Sequence, residues 1–209
     1  MTQHVKPRIS TRKEPQQSRS NELVSAILTA AVQVLTTEGA QRFTTARVAE
    51  KAGVSIGSLY QYFPNKASIL FRLQSDEWRR STEMLREILA DAVPPKKRLR
   101  NLVHAFVRSE CEEAPVRVAL ADAAPLYRDA PEARELRAEG DRIFDSFILE
   151  LLPRISDDVR DIAGELIVTT LTTVGKEFSQ TSRTEQEIDA YAGAMADMLC
   201  AYAETLAMG

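Results

Sequence analysis

Apolar residues recur along most of the chain at helical spacing. Leu23, Ile27, Ala30 and Val34 follow at steps of four, three and four, one face of a helix from about Ser20 that Gly39 stops. A short second helix follows Thr44-Thr45, where either hydroxyl can cap the free amides, and runs to about Ala52. Gly53 breaks it, Ser55 can cap a third helix, and Pro64 ends that one at about Phe63. Asn65 can cap a long fourth helix to about Ala90, stopped by Pro94-Pro95. Leu99, Leu102, Val103 and Phe106 mark a fifth over 97–112. Three prolines between Ala114 and Pro131 predict a broken stretch there, one short helix with loops. Leu136, Ile143, Phe144, Phe147 and Leu151 mark a helix over 132–152, closed by Pro153. Two last helices are expected at 157–180 and 185–207, the first opening on Asp157, Asp158 and Asp161, where negative charge is stabilised. No stretch alternates with period two between turns, so the expected fold is all-α.

Composition narrows the function classes. The chain has 209 residues, enough for one large or two small domains, and an ordinary balance of 44% hydrophobic and 27% charged residues. No uncharged apolar run approaches the ~20 residues of a membrane span, and the N-terminus lacks the apolar core of a secretory signal, so no membrane partner and a cytoplasmic location are expected. Cys111 and Cys200 stand alone, which points to neither a disulfide framework nor a structural zinc site. Glu110, Glu112 and Glu113 beside Cys111 read as a solvated helix end, His104 as structural, and Lys96, Lys97, Arg98 and Arg100 as a solvated face, so no metal or cofactor is expected.

Charge is unevenly placed. Residues 1–72 carry 10 basic and 4 acidic side chains, whereas residues 73–209 carry 17 basic and 26 acidic ones. Such asymmetry points to a polyanionic partner for the first part. Residues 1–18, with Lys6, Arg8, Arg12 and Lys13, read as a disordered basic arm able to add phosphate or minor-groove contacts.

The chemistry concentrates in TTARVAEKAGVSIGSLYQYFPNK, Thr44 to Lys66. Two short helices joined by a tight turn containing glycine form a helix-turn-helix. Val48, Ala49, Ala52, Val54 and Leu59 are the positions expected to lock the pair together, with Phe63 on the same inner side of the second helix as Leu59. Ile56, Gly57, Tyr60 and Gln61 share the other face, which suits a major groove. Gln61 can bond an adenine edge, Ile56 can touch a thymine methyl, and Gly57 lets the backbone approach. Thr45, Tyr60, Tyr62 and Lys66 can donate to phosphate oxygens, which positions a protein without reading sequence.

Residues 19–70 resemble the N-terminal domain of TetR-family transcriptional regulators. The resemblance rests on Ile27, Ala30-Ala31, Gly39, Phe43-Thr44-Thr45, Val48-Ala49, Ala52-Gly53-Val54-Ser55, Gly57-Ser58-Leu59-Tyr60, Tyr62-Phe63 and Lys66. It implies a three-helix DNA-binding head over 19–66 and a larger helical effector-binding and dimerisation body over 67–209. It also implies DNA contacts at Thr44, Thr45, Ser55, Ile56, Gly57, Ser58, Tyr60, Gln61, Tyr62 and Lys66. Ala46 stands where some members carry a base-reading arginine.

The implied partners are a double-stranded DNA operator, a second copy of the chain and a small-molecule effector. The last two helices are apolar on more of their surface than one monomer needs, and TetR-like proteins dimerise through them. The expected interface takes in Gly164, Leu171, Gly175, Tyr191, Met195 and Tyr202. In similar proteins the effector pocket lies among the middle helices, and the candidates here are Trp78, Phe106, Tyr127, Phe144, Phe147 and Phe178. An enzyme is disfavoured, for no acid/base pair, activated nucleophile, glycine-rich phosphate loop or metal spacing is present. The expected function is a ligand-released homodimeric repressor on a pseudo-palindromic operator; the alternative is a TetR-like activator or an effector-independent DNA binder.

Overall fold

The computed structural model describes residues 18–127 and 130–208. Among them are eight α-helices and no strand. They are α1 (Ser18–Arg42), α2 (Thr45–Ala52), α3 (Ile56–Tyr62), α4 (Lys66–Leu89), α5 (Pro95–Ala123), α6 (Pro131–Leu151), α7 (Asp157–Phe178) and α8 (Glu185–Met208), with one 3-10 turn at Ala124–Leu126. The chain is all-α, and most helix ends fall within about two residues of the periodic pattern. Residues 1–17 of the expected basic arm lie outside the described residues.

Capping chemistry sets several of these ends. Ser68 donates its amide to Asn65 Oδ1 at 2.9 Å, which starts α4 one residue later. Thr184 and Glu187 form a reciprocal box at the start of α8: the Thr184 amide donates to Glu187 Oε2 at 2.8 Å and the Glu187 amide to Thr184 Oγ1 at 3.3 Å. Asp157 and Asp158 occupy the first turn of α7. Inside α1, Gly39 has φ of 77°, a left-handed conformation that ends the regular helix there, as the sequence predicts.

The stretch around Pro115 is different from the expectation. Instead of breaking at Ala114, α5 runs on to Ala123 with Pro115 inside it. Proline removes one backbone donor and crowds the preceding turn, at about 3 kcal/mol. Packing on both sides of it outweighs that cost: Leu99, Val103 and Val107 are buried before it, and Ala119, Leu120 and Ala123 after it. Pro131 opens α6, where a missing N–H costs nothing.

Two compact units divide the chain. The first holds residues 1–79 and 115–136, the second residues 80–114 and 137–209. The unit containing the helix-turn-helix is therefore larger than the 19–66 segment, because its core is also covered by α4, the end of α5 and Tyr127. Ile27, Leu35, Phe43, Val48, Leu59 and Phe63 are packed with Ile69, Leu70 and Leu73 of α4 and with Leu120 and Tyr127. One helix, Ser20–Arg42, is long and apolar enough by composition to cross a membrane, a length that the uncharged-run criterion missed. Its Val24, Ile27, Ala31, Val34 and Leu35 are buried in this core.

The second unit packs Leu99, Val103 and Val107 of α5 with Phe144, Phe147 and Ile148 of α6, Ile167 and Leu171 of α7, and Met195 and Leu199 of α8. Ion pairs run along the α5–α8 contact: Lys96 with Glu204, Arg100 with Asp197, and Arg108 with both Glu185 and Asp189. The basic run 96–100 is thus not uniformly solvated. Arg98 is buried, donating to the Leu89 carbonyl at 2.6 Å and to Glu150 at 3.0 Å, with its guanidinium 5.6 Å from the Phe147 ring centre. Helical periodicity turns Arg98 inward together with Leu99 and Leu102.

Candidate nucleic-acid interface

The site is built on α2 and α3. Thr44 lies in extended backbone and accepts the Arg47 amide at 3.3 Å, opening α2. Gly53 closes it in the left-handed region, φ 67°, and the Val54 amide returns to the Ala49 carbonyl at 3.0 Å. Ser55 then caps α3 through the Ser58 amide at 3.0 Å, and its Oγ is 2.8 Å from Ser58 Oγ. Val48, Ala49 and Leu59 are buried between the helices, and Ala52 and Val54 pack against the same cluster. This is the arrangement the apolar pattern predicts.

Burying Leu59 and Phe63 turns the rest of α3 outward. Ile56 is 42% and Tyr60 40% exposed, large hydrophobic side chains kept in solvent at one end of a small core, and Gly57 and Gln61 are exposed beside them. Thr45 Oγ1 and Tyr60 OH are 3.1 Å apart, a hydrogen bond that ties the exposed face of α3 to the start of α2. Lys66 is exposed at the first residue of α4. Thr44, Ser55 and Gln61 are exposed as well, while Thr45 and Ser58 are half-buried.

Tyr62 is turned into the chain. It is only 6% exposed, and its hydroxyl donates to Ser20 Oγ at 3.2 Å. That hydrogen bond binds α1 to the end of α3, so Tyr62 holds the face in place. The spacing i+2 from Tyr60 already put Tyr62 on another side of the helix.

The six candidate effector residues do not form one cluster. Trp78 and Tyr127 belong to the core of the first unit, where the Tyr127 hydroxyl lies 3.0 Å from the Leu120 carbonyl and 3.2 Å from Gln74 Oε1, and its ring 5.9 Å from that of Phe71. Phe106, Phe144, Phe147 and Phe178 belong to the second unit. Phe178 is stacked on Tyr191 at 3.8 Å with Arg183 4.4 Å above it, a closed sandwich rather than a pocket wall. Of the six, Phe147 alone lines the cleft of about 480 Å³ described in the second unit, with Arg86, Leu89, Glu139, Arg142, Ile143 and Glu150. The polar rim of that cleft had no sequence signal, since charged residues on helices are ordinarily solvent-facing.

The residues expected at a dimer interface are taken up largely within the chain. Leu171 and Met195 are buried in their own chain, and a Cβ on Gly175 would lie 3.2 Å from Phe106. One on Gly164 would lie 3.7 Å from Ile148; Tyr191 is taken up by Phe178, and Tyr202 packs on the same core. The exposed large apolar residues of these helices are Val159, Ile162, Leu166 and Val168 on α7 and Met198 and Met208 on α8. Among the described residues no group of metal-ligating side chains is assembled, and burial pushes the Cys111 and Cys200 thiols above their ordinary range.

A capped two-helix motif on a closed apolar core, presenting Ile56, Gly57, Tyr60 and Gln61, defines a helix-turn-helix regulator. Residues 27–73 match the bacterial regulatory proteins of the tetR family, and residues 94–206, more than half of the chain, match the tetracyclin repressor-like C-terminal domain. The chain belongs to the TetR family of transcriptional regulators, which are not enzymes. It is 31% identical over 140 residues to the nucleoid occlusion factor SlmA of Vibrio campbellii, covering 66% of this chain and 65% of that protein. It is 32% identical over 73 residues to the fatty acid metabolism regulator protein of Bacillus subtilis, covering 35% and 38%. The chain thus spans less than two thirds of the length of either relative. The transcriptional regulator FadR from Bacillus subtilis, solved in complex with stearoyl-CoA, shares the fold with a TM-score of 0.66 at 19% identity, over 84% of this chain and 97% of that one.

Proposed function

We infer that this regulator is a homodimeric repressor of the cytoplasm that reads a pseudo-palindromic operator with α3 and leaves it when a small molecule binds the second unit. The observation that carries the reading is the outward face of α3, whose Tyr60 is held by Thr45 while Leu59 and Phe63 anchor the helix from below. Ile56, Gly57, Ser58 and Gln61 face bases, and Thr44, Thr45, Ser55, Tyr60 and Lys66 face phosphates.

Dimerisation rests on the exposed apolar stripe. Val159, Ile162 and Leu166 recur at steps of three and four on α7, and Ile162 is 62% exposed. With Met198 of α8 they form a second face on helices whose first face is already buried, as a two-fold four-helix contact requires. Two such copies would present two recognition helices to two half-sites.

For the effector, the cleft between α4 and α6 supports an amphiphile. Its lining is apolar at Leu89, Ile143 and Phe147 and charged at Arg86, Arg142, Glu139 and Glu150, with Arg86 paired to Glu139. Long-chain acyl-CoA, the class of molecule bound to FadR of Bacillus subtilis, is the first probe. The effector acts through differential affinity for two conformations, a coupling of typically ~1–3 kcal/mol.

The test is binding of the full chain to DNA flanking its own gene, at two salt concentrations and against non-specific competitor. Tight binding that resists competitor and is lost in a Tyr60→Ala, Lys66→Ala double variant supports the reading. Wild-type binding no tighter than that of the double variant overturns it.

A further inference from the structure

A charge buried in a protein core needs a counter-charge, and a buried donor left without an acceptor destabilises the fold. Arg98 meets the first condition and not the second. Its side chain is only 8% exposed, and its two Nη atoms donate to Glu150 and to the Leu89 carbonyl. Its Nε is buried without a hydrogen-bond partner, the one such side-chain atom among the described residues. Glu150 meets the Nη end of the guanidinium from the last turn of α6 and leaves the Nε unserved.

This pair stands at the cleft between α4 and α6. Leu89, Phe147 and Glu150, the residues that Arg98 meets, all line that space of about 480 Å³, a volume in the range of small-molecule sites. The two partners are not equally fixed. Glu150 is 55% exposed, so its carboxylate can turn into solvent, whereas Arg98 is enclosed and held by the Leu89 carbonyl. Arg98 thus requires an anion, but not this particular one. Of the other charged lining residues, Glu139 is paired with Arg86, and Arg142 has no ion pair among the described residues. Leu89, Ile143 and Phe147 supply apolar wall beside them. We propose that the Arg98–Glu150 pair is the anion subsite of this cleft: a ligand with an apolar body and a terminal oxyanion, carboxylate or phosphate, displaces Glu150 and takes its place on Arg98. An oxyanion that is not tethered to α6 can also serve the Nε edge of the guanidinium, whose paired donors match carboxylate and phosphate alike. This rests on the effector reading above and names the group by which the effector is held.

Calorimetric titration of the full chain uses probes that share one alkyl chain: dodecanoate, dodecyl phosphate and the neutral methyl dodecanoate. The better of the two anions is expected to bind about tenfold or more tightly than the ester, and it identifies the oxyanion. Glu150→Gln removes the competing carboxylate and should tighten that anion about tenfold, with the ester unchanged. Glu139→Gln takes the same charge from the same cleft but not from Arg98, and should change the affinity little. Arg98→Met combined with Glu150→Leu removes both charges, so that none is left unpaired in the core, and should abolish the preference for the anion over the ester. Failure of both anions to bind, equal binding of all the probes, or a preference that survives the double variant overturns the inference. So does the absence of a gain in Glu150→Gln, or an equal gain in Glu139→Gln, a comparison that decides the matter even where the double variant does not fold. Binding that follows the expected pattern but leaves DNA affinity unchanged supports the subsite and overturns the effector reading.

Discussion

Thr45 Oγ1 and Tyr60 OH meet at 3.1 Å across the turn of the helix-turn-helix. The bond joins the first residue of α2 to the exposed middle of α3, so the two hydroxyls proposed to meet phosphate are set relative to each other before any ligand arrives. Tyr60→Phe removes this link and one donor. DNA affinity is expected to fall about tenfold, in line with ~1.5 kcal/mol for a hydrogen bond to a charged group, uniformly across operator variants. Equal affinities for Tyr60→Phe and wild type in a filter-binding titration would contradict it.

Gln61 is exposed on the same face, and in the proposed reading its amide meets base edges. Gln61→Ala should relax preference at one base pair per half-site by ~1–3 kcal/mol while leaving other positions alone. Affinities on single-base operator variants measure this, and unchanged discrimination at every position would refute it.

Tyr62→Phe separates an internal brace from a phosphate donor. Tyr62→Phe loses the hydrogen bond to Ser20 and should cost about 1 kcal/mol of stability in urea unfolding. Salt dependence of DNA binding should stay as in wild type; a flatter slope would return Tyr62 to the phosphate contacts.

The proposed dimer face separates from the core face by mutation. Ile162→Glu with Leu166→Glu on exposed α7 positions should yield a folded monomer by sedimentation. Leu171→Ala, buried in the chain's own core, should instead cost ~2–5 kcal/mol of stability. A double glutamate variant that still sediments as a dimer would place the interface elsewhere.

Acid stability carries a signature of Arg98. The Arg98 guanidinium donates to Glu150 and holds its carboxyl below the ordinary glutamate value, as the Thr184 amide and hydroxyl do for Glu187. Carboxylates with depressed values stabilise the fold above the ordinary glutamate range, and this is lost as pH falls through the depressed value. Glu150→Gln should therefore lower the melting temperature at neutral pH, and the gap to wild type should close as the pH falls below that range. A gap independent of pH would show that the carboxylate's charge is irrelevant to Arg98.

Much of the head was legible in the sequence because its determinants are local. Thr44, Gly53 and Ser55 act within three or four residues of themselves, and Val48, Ala49 and Leu59 announce their side by spacing alone. The paired exposure of Ile56, Gly57, Tyr60 and Gln61 follows from the same 3.6-residue period. The partner of Tyr62 was not legible, because a hydroxyl says only that a partner is needed. That the partner is Ser20, 42 positions earlier, is decided by the packing of α1 on α3.

The sequence by itself determined the helices, their caps and the identity of the outward face of α3, all consequences of short-range backbone chemistry and periodicity. Tertiary structure alone decided which apolar stripe each long helix spends on its own chain. It carried α5 through Pro115 by burying residues on both sides, and it drew Arg98 inward to Glu150. It also divided Trp78 and Tyr127 from Phe106, Phe144, Phe147 and Phe178, and exchanged Leu171 and Met195 for Ile162 and Leu166 as the surface left open. The physical reason is the same in each case. A helix with apolar residues on two sides satisfies the hydrophobic effect with either one, and the choice depends on the shapes of partners distant in sequence.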